Sequence, residues 1–524
     1  MLTPHRLLLL LILAVAAAVR LVALETVPLG LHGDEAITGL DMRRALRDGY
    51  LGPYLYPSAL GQPAGPVYLS ALLHVWLPPT TATLRAAMAL LGVATVALTY
   101  LAGRAMFSRV VGLAAAALLA TLPWHLHLSR TAFMVNAWPC VAMAAVWLLF
   151  RARRAPGRRR LRREALVGLV AGLGVYTYNA YPLTLPLLAV PFAYDLLRPP
   201  PGVTRRTVAV GSALAAAAAL VAALPLLEYA RTHEEYFWHQ EEVGVFHTAA
   251  WREADWSARA GLLAGRGVEW GRGLLLGGRG DDGDGLGAHG FPLLDPLLRL
   301  LLPAGLLLAA RRWREPAAGV LIAAGLIFPW GALLTVEDGL FRRTFALAPF
   351  LCILAALPIA RLMRSSADWR RGGRRTVLLV LAALLTLGAA RNTYRYFVPL
   401  QDSEQMRYVF PYEIDAAARF IAGLPPGARV HWFSDRWPAH YETLRWYAPH
   451  ADVVERSPPF GGPADADGTP PLVLDGGAPA VVMLLGRYRA MADAWQDAVP
   501  GGTWHAGRRD GEVLFRAYVL PPSI

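Results

Sequence analysis

Long apolar runs separated by short polar clusters dominate the chain. Apolar runs of about 18 or more residues are long enough to cross a bilayer as helices. On that criterion the pattern predicts about eleven spans, over 7–24, 83–103, 109–124, 132–150, 165–179, 182–197, 206–227, 294–310, 316–335, 343–361 and 375–391. From about Val398 the apolar runs shorten to strand length. There ARVHWFS, AVVMLL and EVLFRAYVL read as strands, and 412–424, 439–447 and 488–498 as amphipathic helices. Alternating helix and strand is the signature of an α/β layer. The expected fold class is therefore an α-helical polytopic membrane protein with a C-terminal extracytoplasmic α/β domain. The expected domains are 1–398, with outer loops 25–82 and 228–293, and 399–524.

Charge sharpens this picture. Only 17% of residues are charged, against about 25% in an ordinary soluble chain. The net charge is +13, and every basic side chain other than histidine is arginine, which a GC-rich coding bias explains. If the N-terminus is cytoplasmic, the dense clusters RARRAPGRRRLRRE, RRWRE and RLMRSSADWRRGGRR all fall in inner loops. That agrees with the positive-inside rule and predicts a multi-pass protein of the plasma (inner) membrane with its C-terminal domain outside. The clusters then meet anionic lipid headgroups, and no nucleic-acid partner is expected. The basic start and apolar run over 1–24 resemble a signal peptide, but Glu25-Thr26-Val27-Pro28 is no small-residue cleavage site, so an uncleaved span is expected. Cys140 and Cys352 lie in apolar runs and read as small buried hydrophobes.

The first outer loop is richest in chemistry. Gly30 and Gly33 flank a turn, and Asp34 and Glu35 open a helix over 36–48. Two readings stand for Asp34. It caps the helix with Glu35 as a first-turn charge, or it is a general base that deprotonates a hydroxyl attacking an anomeric carbon. The second reading requires cations that stabilise a departing lipid phosphate. Arg342 and Arg343, in VEDGLFRRTFALAP, and Arg130, in WHLHLSRTAF, are the arginines at outer span ends; the plain alternative is pairing with Glu337 and Asp338 or snorkelling. His125 and His127 have no acidic ligand nearby and read as packing rather than metal binding. Tyr176, Tyr178, Asn179 and Tyr181 form an aromatic belt or a sugar or isoprenoid contact. Asp435 and His440, in SDRWPAHYET, line a polar pocket or simply cap and pack. RGDDGDGLG has the alternation of a calcium loop without its closing glutamate, so a solvated loop is the expectation.

PLGLHGDEA, GQPAGPVYL, TLRAAMALLGVATVALTYLAGRAMF, LSRTAFMVNAWP, GLVAGLGVYTYNAYPLTLPLL and FRRTFALAP follow one another in this order over roughly the first 400 residues. This ordered set resembles bacterial membrane glycosyltransferases of the protein O-mannosyltransferase type, glycosyltransferase family 39. The resemblance implies the GT-C fold and a polyprenyl-phosphate sugar donor used on the outer face. Its hydroxyl acceptor would be on protein, lipid or glycan. It implies Asp34, with Glu35 beside it, as the catalytic acid pair, and Arg342, Arg343 and Arg130 as donor-phosphate ligands. His32, Gln62, Tyr176, Tyr178 and Asn179 are the expected substrate contacts. No cofactor is required by this reading, and assistance by a divalent metal stays open. The chain departs from the pattern at Gln62, where many relatives carry a charge, and in the second outer loop, where His125, His127 and Arg130 stand in place of a further acid. A lipid or glycan transporter is the competing class, but neither inverted repeats nor mid-span ionisable groups are apparent. A non-catalytic membrane scaffold with an outer binding domain is the third.

Overall fold

The computed structural model describes residues 3–56, 61–237, 243–278, 291–335, 341–365, 371–457, 480–498 and 500–520. Glu337, Asp338 and the RGDDGDGLG segment lie outside these residues. Each of the predicted spans coincides with a helix, including α1 (Pro4–Leu21), α4 (Thr81–Met106), α7 (Ala137–Ala152), α8 (Gly157–Leu173), α9 (Thr184–Leu197) and α10 (Arg205–Thr232). By length and composition, seven helices among the described residues are able to cross a membrane. An eighth joins them if α5 (Arg109–Thr121) and α6 (Pro123–Ser129), bent by 63° at their junction, form one broken span. The bend has a covalent cause. Pro123 has no N–H to continue the helix, and it forces Leu122 out of the helical region, to ψ 120°.

In the first loop α2 spans Gly33–Asp48 and α3 spans Gly65–His74. Between them β1 (Tyr54–Leu55) and β2 (Gln62–Pro63) form an antiparallel pair that the apolar pattern does not announce.

The chain divides into two units: Met1–Val27 with Asp41–Gln405, and Pro28–Leu40 with Met406–Ile524. In the first, α8 packs along α10 at glycine. A Cβ on Gly168 would overlap the Ala215 carbonyl, and one on Gly172 the Ala219 carbonyl. Small residues let helix backbones approach where lipid supplies no hydrophobic drive between helices. At one end of this pair the charges are buried but matched. Arg160 Nε donates to Glu164 Oε1 at 2.8 Å and Nη2 to Asp195 Oδ2 at 2.7 Å, and Arg153 also pairs with Asp195. Losing one partner would leave an uncompensated buried charge, so the network fixes how α8, α9 and the end of α7 meet.

The second unit is built on a five-stranded sheet in the order β4-β3-β5-β7-β6. Here β3 is Arg429–Phe433, β4 Asp452–Glu455, β5 Ala480–Leu485, β6 Thr503–Arg509 and β7 Glu512–Val519. β3 runs parallel to both β4 and β5, while β7 is antiparallel to β5 and β6. The centre carries the apolar runs: β5 is buried along its whole length, and Val430 and Trp432 of β3 join Val481 and Met483 in the core. A helix over Tyr412–Ala422 lays Ile414, Ala417, Ala418 and Ile421 on this core, at the three- and four-residue spacing of one helix face.

The α8–α10 contact makes a direct prediction. Gly168→Val lowers the thermal unfolding midpoint of the detergent-solubilised protein, at a cost of about 1–3 kcal/mol for overpacking. Gly325→Ala, whose Cβ meets open space, leaves it unchanged.

Candidate functional site

The acidic pair sits where the chain turns into α2, and its two members are used differently. Glu35 is buried. Its Oε2 accepts from the His32 N–H at 3.1 Å, the reach-back bond that closes a helix start. The Asp34 N–H donates to His32 Nδ1 at 3.0 Å, so that nitrogen is an acceptor, and the neutral ring carries its proton on Nε2. The Asp34 carboxylate is 38% exposed and stands 3.9 Å from the same nitrogen. Because the helix begins at Gly33 rather than at Ala36, Asp34 lies inside the first turn and is not its cap.

The segment before α2 is anchored within the second unit. A Cβ on Gly30 would stand 2.7 Å from the Pro411 carbonyl carbon, so only glycine fits. The Leu31 carbonyl accepts from the buried Thr443 Oγ1 at 2.9 Å. The His32 ring lies 5.7 Å from that of Phe410. The Gly33 amide bonds the Tyr441 hydroxyl, whose pKa is raised by burial first and then by the charges of Asp34 and Glu442. These partners lie more than 370 residues downstream, and no local sequence signal marks them.

In the first unit the segment over 341–345 combines buried and half-buried positions. Phe341, Thr344 and Phe345 point inward, and Arg342 and Arg343 are half-buried. The segment is pinned by α6: Trp124 Nε1 donates to the Phe341 carbonyl at 3.2 Å, and His125 stacks on Phe345 at 5.2 Å. Arg342 lies over the Phe133 ring at 4.7 Å. A helix over Trp256–Leu275 adds a residue that the sequence reading did not single out. Its Trp270 donates to Thr344 Oγ1 at 3.2 Å, and its Arg266 sits close enough to feel the charge of Arg343. Burial foremost lowers the Arg266 pKa, the nearby Glu269 carboxylate raises it, and Arg343 lowers it.

Arg130 belongs elsewhere. It is fully buried, and its guanidinium donates to the carbonyls of Val19, Val22 and Val27 at 2.7, 2.8 and 2.9 Å while stacking over Phe397 at 4.6 Å. Its donors thus hold the chain leaving α1, where the sequence reading had them on a phosphate. Arg20 does a related task at the α5–α6 break. Pro123 leaves the Leu119 carbonyl without its helical donor, and Arg20 donates to it and, at 2.6 Å, to the Ala120 carbonyl. Arg20 also reaches Ser129 Oγ at 3.0 Å and His125 Nδ1 at 2.8 Å. The two histidines of this region are therefore packing groups: His127 lies against Tyr396, its Nδ1 3.4 Å from the hydroxyl. Among the described residues no group of three or more His, Cys, Asp or Glu is arranged to hold a metal. Cys140 and Cys352 are both free thiols.

The expected substrate contacts of the aromatic segment also have partners within the protein. The Tyr176 hydroxyl donates to the Ala222 carbonyl at 3.0 Å and accepts from the Leu226 N–H at 3.3 Å. It is inserted into that pair of α10 beside Pro225, where a proline opens the helix. Tyr178 stacks on Trp138 at 5.8 Å, and Asn179 donates to the Gly61 carbonyl at 3.0 Å. Gln62 sits in β2, opposite Leu55.

With this geometry in place, comparison with known proteins is informative. Residues 43–240 match the family model described as dolichyl-phosphate-mannose-protein mannosyltransferase, a stretch that starts after the acidic pair. No curated protein matches the chain by sequence. Among solved structures, ArnT from Cupriavidus metallidurans bound to undecaprenyl phosphate aligns over 98% of this chain and 97% of its own, at 16% identity and a TM-score of 0.58. The archaeal oligosaccharyltransferase AglB from Archaeoglobus fulgidus, in complex with an inhibitory peptide and a dolichol-phosphate, aligns over 86% of this chain and 64% of its own, at 16% identity and a TM-score of 0.53. The arabinofuranosyltransferase AftD from Mycobacteria aligns over 99% of this chain and 40% of its own, at 14% identity and a TM-score of 0.50. At such identities the likeness speaks to fold, and the fold is GT-C. The chain thus has the GT-C fold and carries a segment similar to the dolichyl-phosphate-mannose-protein mannosyltransferase family.

The arginine assignments can be separated by experiment. Arg130→Ala leaves carbonyls of Val19, Val22 and Val27 without their donor. A loss of about 3 kcal/mol or more is expected, read as an early unfolding midpoint in detergent. Arg342→Ala is expected to melt close to wild type.

Proposed function

We propose that the protein moves a monosaccharide from a polyprenyl-phosphate donor to a hydroxyl group of a protein, lipid or glycan acceptor. The reaction runs on the outer face of the plasma membrane, with the N-terminus in the cytoplasm and the α/β unit outside. The observation that carries this reading is the division of labour within the acidic pair. Glu35 holds the turn from a buried position, which leaves Asp34 half-exposed at the start of α2.

In this mechanism the acceptor oxygen attacks the anomeric carbon. Its proton passes to an Asp34 oxygen as the new C–O bond forms. The bond from the anomeric carbon to the phosphate oxygen breaks at the same time. The electron pair leaves with the lipid phosphate, so one displacement inverts the anomeric centre. No strong acid is needed, because phosphate is a competent leaving group once its charge is met. Arg342, Arg343 and Arg266 supply that charge, and arginine matches phosphate oxygens in geometry as well as sign. Arg130 is assigned to holding the scaffold. The basic clusters outside this region contact anionic lipids. ArnT and AglB were solved with undecaprenyl phosphate and a dolichol-phosphate, which fits a donor of the same chemistry here.

The test uses membranes containing the full chain and a panel of polyprenyl-phosphate sugars. Asp34→Asn is expected to reduce transfer by about 10²–10⁴-fold with donor binding retained. Transfer that survives unchanged in this variant overturns the base assignment. Arg342→Ala combined with Arg343→Ala is expected to weaken binding of polyprenyl phosphate by about 10–100-fold, the loss of one or two charge-assisted bonds.

A further inference from the structure

α8 and α10 approach closely at glycine, and the same small residues leave a space beside them. Between this pair and α9 runs a groove of about 600 Å³. Gly168 and Gly172 of α8 and Ala215 and Ala219 of α10 line it without side chains long enough to fill it. Ser212 is the one polar residue of the lining, and its hydroxyl donates to the Val208 carbonyl at 2.9 Å. From Ser212 to Leu227 the groove follows α10 for about 22 Å along the helix axis. A single leaflet supplies roughly 15 Å of hydrocarbon, so one lipid chain fits lengthwise.

One end of the groove is marked by charge. Gly211 backs onto Glu164, Ala215 onto Gly168 and Ala219 onto Gly172. The offset is constant and runs in one direction, so α8 and α10 are parallel and their first turns lie side by side. Those turns carry Arg158 and Arg159 on α8 and Arg205 and Arg206 on α10, all four exposed, and neither turn holds an acid. The end of α9 is there too, since Asp195 pairs with Arg160. The carboxylates at this end, Glu164 and Asp195, are buried and taken by Arg160 and Arg153. Among the described residues no carboxylate pairs with the four exposed arginines. Cations in a first turn also stand against the helix dipole. The positive charge at this end is therefore in surplus, and an anion from outside the chain would balance it.

We propose that this groove binds one anionic phospholipid, an acyl chain lying along α10 between α8 and α9 and the phosphate among Arg158, Arg159, Arg205 and Arg206. Ser212 lies about 9 Å beyond Arg206 along α10, a gap that the glycerol ester and an arginine side chain bridge together. In the orientation proposed above this end faces the cytoplasm. A donor used on the outer face would hold its phosphate at the other end, which is why the occupant is a membrane phospholipid. Nothing in this binding depends on the transfer reaction.

The experiment uses the full-length protein, stripped of lipid in detergent. Native mass spectrometry counts the lipid retained during titration with phosphatidylglycerol or with phosphatidylcholine of the same chains. One phosphatidylglycerol per chain is expected at about tenfold lower concentration than phosphatidylcholine requires. Arg205→Gln combined with Arg206→Gln is expected to abolish that preference; both positions are exposed, so lipid-free melting stays as in wild type. Should that pair fail to fold, Arg158→Gln with Arg159→Gln replaces it. Ala216 is exposed and lines the groove, so Ala216→Phe fills the space without entering the core. It is expected to reduce retention of both lipids about tenfold. Equal retention of the two lipids by wild type overturns the proposal, and so does a preference that survives the arginine variants. Unchanged retention by Ala216→Phe, or glycerol phosphate raising the melting point as far as phosphatidylglycerol does, removes the chain from the groove. A polyprenyl phosphate that displaces phosphatidylglycerol at equal or lower concentration reassigns the groove to that lipid.

Discussion

A main-chain carbonyl that loses its helical donor in a water-poor setting must find another, and much of the membrane unit is organised by that demand. Among the described residues, three such breaks are closed by a side chain from elsewhere. Where the chain leaves α1, Arg130 collects the carbonyls of Val19, Val22 and Val27. At the α5–α6 break, Arg20 takes those of Leu119 and Ala120. Beside Pro225 in α10, the Tyr176 hydroxyl is inserted between Ala222 and Leu226. In each case a polar side chain from another segment closes the gap. The repair therefore also ties that segment to the break, and sequence-distant pieces become one scaffold.

The scaffold matters to the chemistry because the arginine segment hangs from it. α6 exists as a separate short helix because of Pro123, and its orientation is fixed by Arg20 bonding to His125 and Ser129. α6 in turn presents Trp124 and His125 to Phe341 and Phe345. Arg342 and Arg343 lie between those two phenylalanines, so their backbone is held at both ends. The acidic loop has separate support, from residues 410–443 of the α/β unit.

What was legible in the sequence follows the range of the interactions involved. Apolar periodicity is local, and it locates the helices of the predicted spans as well as β3, β5 and β7, but not the helix over Trp256–Leu275, which lies in a stretch read as an outer loop. Edge strands carry a weaker signal: β4 and β6 are largely exposed, and β1 and β2 are two residues each, so none of them was anticipated. Helix length in the membrane depends on where polar flanks and prolines cut the run, which is why eleven apolar segments yield, among the described residues, seven or eight helices long enough to cross. At the site, the sequence marks residue types but not their partners. Arg130 and Arg342 look alike as arginines at span ends, and only the tertiary structure shows that Arg130 is bonded to carbonyls of the α1 segment. Arg266 and Tyr441 were missed because each acquires its meaning from a residue far away in the chain.

The exclusive use of arginine then has a physical consequence, whatever its origin in coding bias. Burial lowers the Arg266 pKa, Glu269 raises it and Arg343 lowers it, all from a starting point higher than that of any other side chain. A lysine in the same position begins about two units lower or more and gives up its proton more readily when desolvated. Neighbouring cations therefore keep their charge more readily when they are arginine than when they are lysine. Arg20 and Arg130 use the same guanidinium to donate to several main-chain carbonyls at once. Arginine thus serves two purposes, closing the helix breaks that make the scaffold and supplying the cations of the 341–345 segment.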